Sequence, residues 1–128
     1  MKPSQLLLIA AVVTSIAVVA ARAQAPDDER RAAITVMRAI NTAENATRQT
    51  GGKFVPLAEL LDHAAMGRVK PNIAINGNTM THQGSQLRLA LSADALGYQV
   101  MVVPAQTCGT AVFSDERGLI YTGKVLDC

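Results

Sequence analysis

The chain has 128 residues, 49% of them hydrophobic and 17% charged, with 12 Lys+Arg against 10 Asp+Glu. That length holds one domain with a modest core and excludes two. There is no basic cluster, and Phe54, Tyr98, Phe113 and Tyr121 are the only aromatics, so the composition argues against nucleic-acid binding.

The N-terminus has the pattern of a secretory signal peptide. Lys2 is a short positive region, Leu6 to Ala21 is charge-free and largely apolar, and Ala21-Arg22-Ala23 is a small-x-small cleavage site. The expected cut lies between Ala23 and Gln24, which makes residues 1–23 the signal and 24–128 a single globular domain. A cut after Ala25 would place Pro26 first and is less suitable. The alternative is an uncleaved anchor, since the run is near the low end of the ~17–25 residues that span a bilayer. Removal of Lys2 and Arg22 would bring the basic residues down to equality with the 10 acids. The expected location is periplasmic or secreted, with membrane attachment only if the apolar segment is retained.

An exported chain meets an oxidising compartment. The only cysteines, Cys108 and Cys128, allow one intramolecular pairing. Closing a loop of ~20 residues is worth about 3 kcal/mol in the chain-entropy view, and would tie down a terminus that otherwise frays. A structural disulfide is expected. No C-x-x-C and no neighbouring histidine suggest a reactive thiol.

Pro26 to Gly52 reads as one helix, with Asp27 as N-cap and Asp28 and Glu29 at the positive end of its dipole. Ala33, Val36, Met37, Ile40 and Ala43 follow helical spacing and predict a narrow stripe that packs on something flat. Arg31, Arg38, Asn41, Asn45 and Arg48 fall mostly off it, and Gly51-Gly52 is a stop. Pro56 opens a second, short helix with Leu57, Leu60 and Leu61 as its apolar face and Gly67 at its end. Residues 69–83 contain Asn76-Gly77 between alternating residues, a hairpin signal, but the stretch is polar and a loop is preferred.

The last third is β-like. Gln86 to Leu91 alternates, with Leu87, Leu89 and Leu91 on one face. Ser92 to Gly97 is a turn, and Tyr98 to Val103 is a strand closed by Pro104. Thr110 to Ser114 and Leu119 to Thr122 flank a turn at Asp115-Glu116-Arg117-Gly118, with Gly118 at a positive-φ position. Closely spaced strands pair as an antiparallel meander. The expected fold is α+β, a long N-terminal helix on a C-terminal antiparallel sheet.

Three stretches carry a resemblance to a known family. They are Met37 to Ala46 in the helix, Gly51 to Asp62 with its glycine–aromatic–leucine step, and Ala111 to Gly123 with an aromatic strand, an Asp-acidic turn and a glycine. In that order the chain resembles the globular head of a type IV pilin or type II secretion pseudopilin over Ala33 to Cys128. The resemblance implies a helix laid on a sheet, membership of a fibre or secretion machine, and pilin or secretion components as partners. It also agrees with a fastened C-terminus at Cys108–Cys128. The usual Gly-Phe-Thr-Leu-Ile-Glu-like prepilin cleavage site is absent, and the apolar run has no glutamate.

Catalytic and metal spacing is sparse. His63 and His82 are the only histidines, with no H-x-x-x-H or H-E-x-x-H, and both are expected to face solvent. Ser85 or Ser114 with His82 and Asp94 could be assembled on paper into a triad, but there is no G-x-S-x-G elbow. Ser114-Asp115-Glu116 is the best polar group, with Asp127 as a further oxygen source. Some pseudopilins bind calcium in this region, but two carboxylates fall short of the six to eight oxygens calcium takes. Asn45-Ala46-Thr47 is a glycosylation sequon in mid-helix and is read as chance. Met66, Met80 and Met101 are read as packing residues. No cofactor, catalytic residue, metal ligand or small-molecule substrate is expected. The reading is an exported, non-enzymatic domain that contacts other envelope proteins. A membrane-retained minor pilin is one alternative, and a small periplasmic metal-binding protein or enzyme is another.

Overall fold

The computed structural model describes residues 27–76, 79–106 and 108–124, together with the backbone of the first helix from Pro3. Helix α1 runs Pro3–Gly51 and α2 Leu57–Leu60, followed by 3-10 turns at Ala64–Met66 and Lys70–Asn72. Six strands follow: β1 Ile73–Asn76, β2 Thr79–His82, β3 Ser85–Leu91, β4 Tyr98–Val103, β5 Thr110–Asp115 and β6 Ile120–Lys124. They form one antiparallel sheet in chain order. The α+β class and the long helix are as expected.

The stripe on α1 does what its spacing predicts. Val36, Met37, Ile40 and Ala43 are fully buried and Ala33 nearly so. They meet Val100, Val102, Val112 and Leu87 of the sheet, with Phe54, Leu57, Leu60, Met66 and Val69 closing one side. Each large aliphatic side chain buried here contributes about 1.5–3 kcal/mol. The helix carries several threonines, poor helix formers, because Thr35, Thr42 and Thr47 return their hydroxyls to the carbonyls of Arg31, Arg38 and Ala43. It ends where Gly52, at φ 77°, gives its N–H to Arg48 O at 2.7 Å.

Several expectations are corrected. Asp27 is not an N-cap, because the helical backbone runs through it from Pro3. The charge-free apolar run upstream has no glycine to stop a helix, so the acidic step at residues 27–29 does not start one. The second helix begins after Pro56, which sits outside it with ψ 152°. It also stops early: His63 adopts an extended conformation, caps a separate 3-10 turn, and leaves Gly67 to end that turn instead. The stretch read as a loop is a hairpin, with Ile73↔His82, Ala74↔Thr81, Ile75↔Met80 and Asn76↔Thr79 in register. Its outer strand carries little apolar burial of its own. It is held by β2, which pairs on its other side with β3. The expected cut between Ala23 and Gln24 falls on the α1 backbone and is not tested by it, while Asp127 and Cys128 lie outside the described residues. Among the described residues no helix is long and apolar enough to cross a membrane.

Candidate interaction surface

Strand alternation gives the sheet two unlike faces. One is sealed by α1. On the other, four side chains line up directly opposite one another across four strands: Arg88 on β3, Met101 on β4, Phe113 on β5 and Tyr121 on β6. Met101, Phe113 and Tyr121 are 42%, 40% and 36% exposed. Met101 is therefore not the packing residue expected, although Met66 is buried and Met80 packs at the core margin. The rings of Phe113 and Tyr121 stack with centroids 5.3 Å apart and planes 17° from parallel. Such cross-strand pairs stabilise a sheet by a few tenths to about 1 kcal/mol.

Small residues flank the row. Ala111 faces Gly123 across β5 and β6, and Phe113 lies against the open side of Gly123. On the other flank Ala90 faces Gln99. Bulky residues between small ones leave a cleft of about 530 Å³ bordered by Arg88, Met101, Phe113, Tyr121 and Arg117.

The turn next to this row is rigid. Asp115 Oδ1 accepts the Arg117 N–H at 3.1 Å, and Oδ2 accepts two guanidinium N–H groups at 3.0 and 2.6 Å. These bonds hold the Asp115 carboxyl below its usual range. Gly118 stands at φ 73° and closes the turn onto Asp115 O at 2.8 Å, as expected. Ser114, one residue away, points to the opposite face, where it is buried. There it donates to Leu119 O at 2.7 Å and accepts from Asn41 Nδ2 at 2.8 Å. Ser114 and Asp115 therefore do not converge on one ligand. Among the described residues no group of three or more His, Cys, Asp or Glu could hold a metal ion.

The histidines behave differently from each other. His63 is half-buried, and its Nδ1 accepts the Ala65 N–H at 3.1 Å. His82 does not face solvent: it is 3% exposed, because the end of β2 turns it toward α1. Burial holds its imidazole below the usual range and keeps it neutral. Ser85 is its direct cross-strand partner. Yet Ser85 Oγ donates to Glu29 on α1, at 3.4 Å, while Asp94 is engaged by Ser92 Oγ at 2.6 Å and the Leu96 N–H at 3.0 Å. The paper triad is not assembled. Cys108 carries no free thiol.

Sequence reasoning missed two polar residues that shape the interior. Glu44 is fully buried in the helix stripe: Oε2 accepts the Val55 N–H at 3.1 Å, while Oε1 has no partner among the described residues. Burial, and after it the nearby Glu59 charge, raises its pKa against the pull of the Val55 bond. Asn41 joins α1 to two strands through Tyr98 and Ser114. Position 44 lies one residue past Ala43 and four past Ile40, which was the available signal. Comparison of the chain with protein-family models, with curated proteins and with solved structures returns no match.

Proposed function

We propose that the chain is an exported, non-enzymatic, pilin-like domain that works through protein–protein contacts at the cell envelope. The observation that carries the contact reading is the exposed row Arg88–Met101–Phe113–Tyr121. Two of the four aromatics in the chain are placed on the open face rather than in the core. Exposed aromatic, Met and Arg side chains in one contiguous strip are the composition of a protein-binding surface. The pilin-like part is supported by the order of layers, one long helix laid on a later antiparallel sheet, and by the Asp115–Gly118 turn beside an aromatic strand.

A second reading, a membrane-retained minor pilin or pseudopilin, draws on a different feature. The α1 backbone is continuous from Pro3 to Gly51, through the position of the expected cut. The partners in either case are other envelope proteins, with pilin or secretion components as the candidates that the resemblance implies.

Photocrosslinking tests the contact reading. A photoreactive phenylalanine analogue at position 113, in cells carrying the native envelope, is expected to form an adduct containing a pilin or secretion-machine subunit. Met101→Asp should abolish it. A chain that stays monomeric and unlinked at position 113 would overturn the reading.

A further inference from the structure

On the face opposite the aromatic row, between α1 and the β2–β3 turn, lies a second cleft of about 340 Å³. Its walls carry Asp28 and Glu29 from the helix and His82 and Ser85 from the strands. Gln83 and Gly84 form the tight turn between β2 and β3, with φ of 49° and 85°. A turn with positive φ at both central residues holds its flanking strands in register. That register fixes His82 and Ser85 side by side.

Three features make this cleft more than an acidic patch. His82 is 97% buried by its 3% exposure, it borders the cleft, and among the described residues its imidazole makes no hydrogen bond. Glu44 Oε1 is the one sealed side-chain polar atom without a partner among the described residues, so the unbonded His82 nitrogens are not closed off and can be met from the cleft that the ring lines. Ser85 is buried as well and already leans on Glu29. The Asp28 carboxylate is only loosely held, 3.8 Å from an exposed Arg31. All of these groups can accept hydrogen bonds: two carboxylates, a hydroxyl oxygen and one nitrogen of a neutral imidazole.

We propose that the cleft bounded by Asp28, Glu29, His82 and Ser85 binds the guanidinium group of an arginine side chain presented by a protein partner. The site needs a cation, because its fixed charges are negative. It needs a flat, multiply donating one, because its acceptors come from two layers and cannot all be reached by a point charge. A guanidinium has five donors in a rigid plane and sheds water more readily than an ammonium. A metal ion suits the site less, since no three ligating groups here converge. The proposal stands apart from the aromatic row, so either can fail without the other.

The test uses the two histidine ring signals of the full chain, read by NMR, with His63 as internal reference. Titration with N-acetyl-L-arginine amide should shift the His82 signal saturably and leave His63 in place. N-acetyl-L-lysine amide should shift it markedly less. Glu29→Gln, at a half-buried helix position where the amide oxygen can still accept from Ser85, should weaken the arginine effect about tenfold. His82→Phe should remove saturable binding, read then by calorimetry. A His82 signal that does not move, or that moves together with His63, overturns the proposal. So does an equal response to the lysine probe, or stoichiometric zinc binding at His82 in place of the arginine response.

Discussion

Tyr98 donates its phenolic hydrogen to Asn41 Oδ1 at 2.8 Å, joining the helix to the centre of the sheet across 57 residues of sequence. The same amide donates to Ser114 Oγ at 2.8 Å. Burial raises the Tyr98 pKa, so the hydroxyl remains a donor. One asparagine thus sets the height of the helix over two adjacent strands. Asn41→Ala leaves two buried groups short of a partner and should cost about 2–3 kcal/mol in urea unfolding. Tyr98→Phe removes one bond and should cost about 1 kcal/mol. The reverse ranking would show that Asn41 is not the clamp.

Glu44 makes stability depend on pH in an unusual direction. Its folded-state pKa is raised above 4.5 by burial, so the folded chain holds that proton more tightly than the unfolded chain. The stabilisation is full below the unfolded value of 4.5 and is lost as pH rises through the folded value. Stability should therefore fall on going from about pH 4.5 toward neutrality, by at most ~1.4 kcal/mol per pH unit. Glu44→Gln should flatten this slope in urea titrations across the window. An unchanged slope would assign the dependence to other groups.

Adjacent residues on β5 should respond oppositely to truncation. Val112 is fully buried under α1, and Val112→Ala should cost about 2 kcal/mol. Phe113 is 40% exposed, and Phe113→Ala should cost less than about 1 kcal/mol. Paired denaturation curves check both.

Two glycines separate backbone strain from packing. Gly118 has φ 73° with open space around it, so Gly118→Ala should cost about 1–2 kcal/mol through the backbone alone. At Gly123 a new Cβ would sit 3.6 Å from Phe113 in ordinary contact and at unstrained φ. Gly123→Ala should be neutral or slightly stabilising. Equal losses at both positions would mean that contacts, not φ, govern the turn.

The intact mass of the protein recovered from its envelope, with and without reductant, tests export and the cysteine staple. The expected species begins at Gln24 and gains only the hydrogens of one reduced Cys108–Cys128 bond. A species that keeps Leu6 to Ala21 would make the membrane-retained reading the leading one.

Much of the fold was legible where sequence and packing agree. The β-rich run from Tyr98 to Val103, closed by Pro104, marked β4 to the residue, and the i, i+3, i+4 stripe on α1 marked the buried face. Gly118 announced its turn. The β1–β2 hairpin was signalled by Asn76-Gly77 but read as a loop, because β1 buries almost nothing and its register is imposed by β2 and β3. The burial of His82 was hidden for a related reason: it depends on a Gln83-Gly84 turn, and glutamine seldom signals positive φ. Glu44 and the aromatic row depend on which strands become neighbours, which only the assembled sheet decides.

The helix is made first and completed last. Its stripe finds its cover on β4 and β5, and Asn41 meets Ser114 from 73 residues away. The strands, by contrast, each pair with the next in line and need little chain to do so. A chain delivered from its N-terminus therefore carries an uncovered apolar helix until nearly all of it has arrived. Whatever shields Val36, Met37 and Ile40 during that interval governs how much folded protein is obtained.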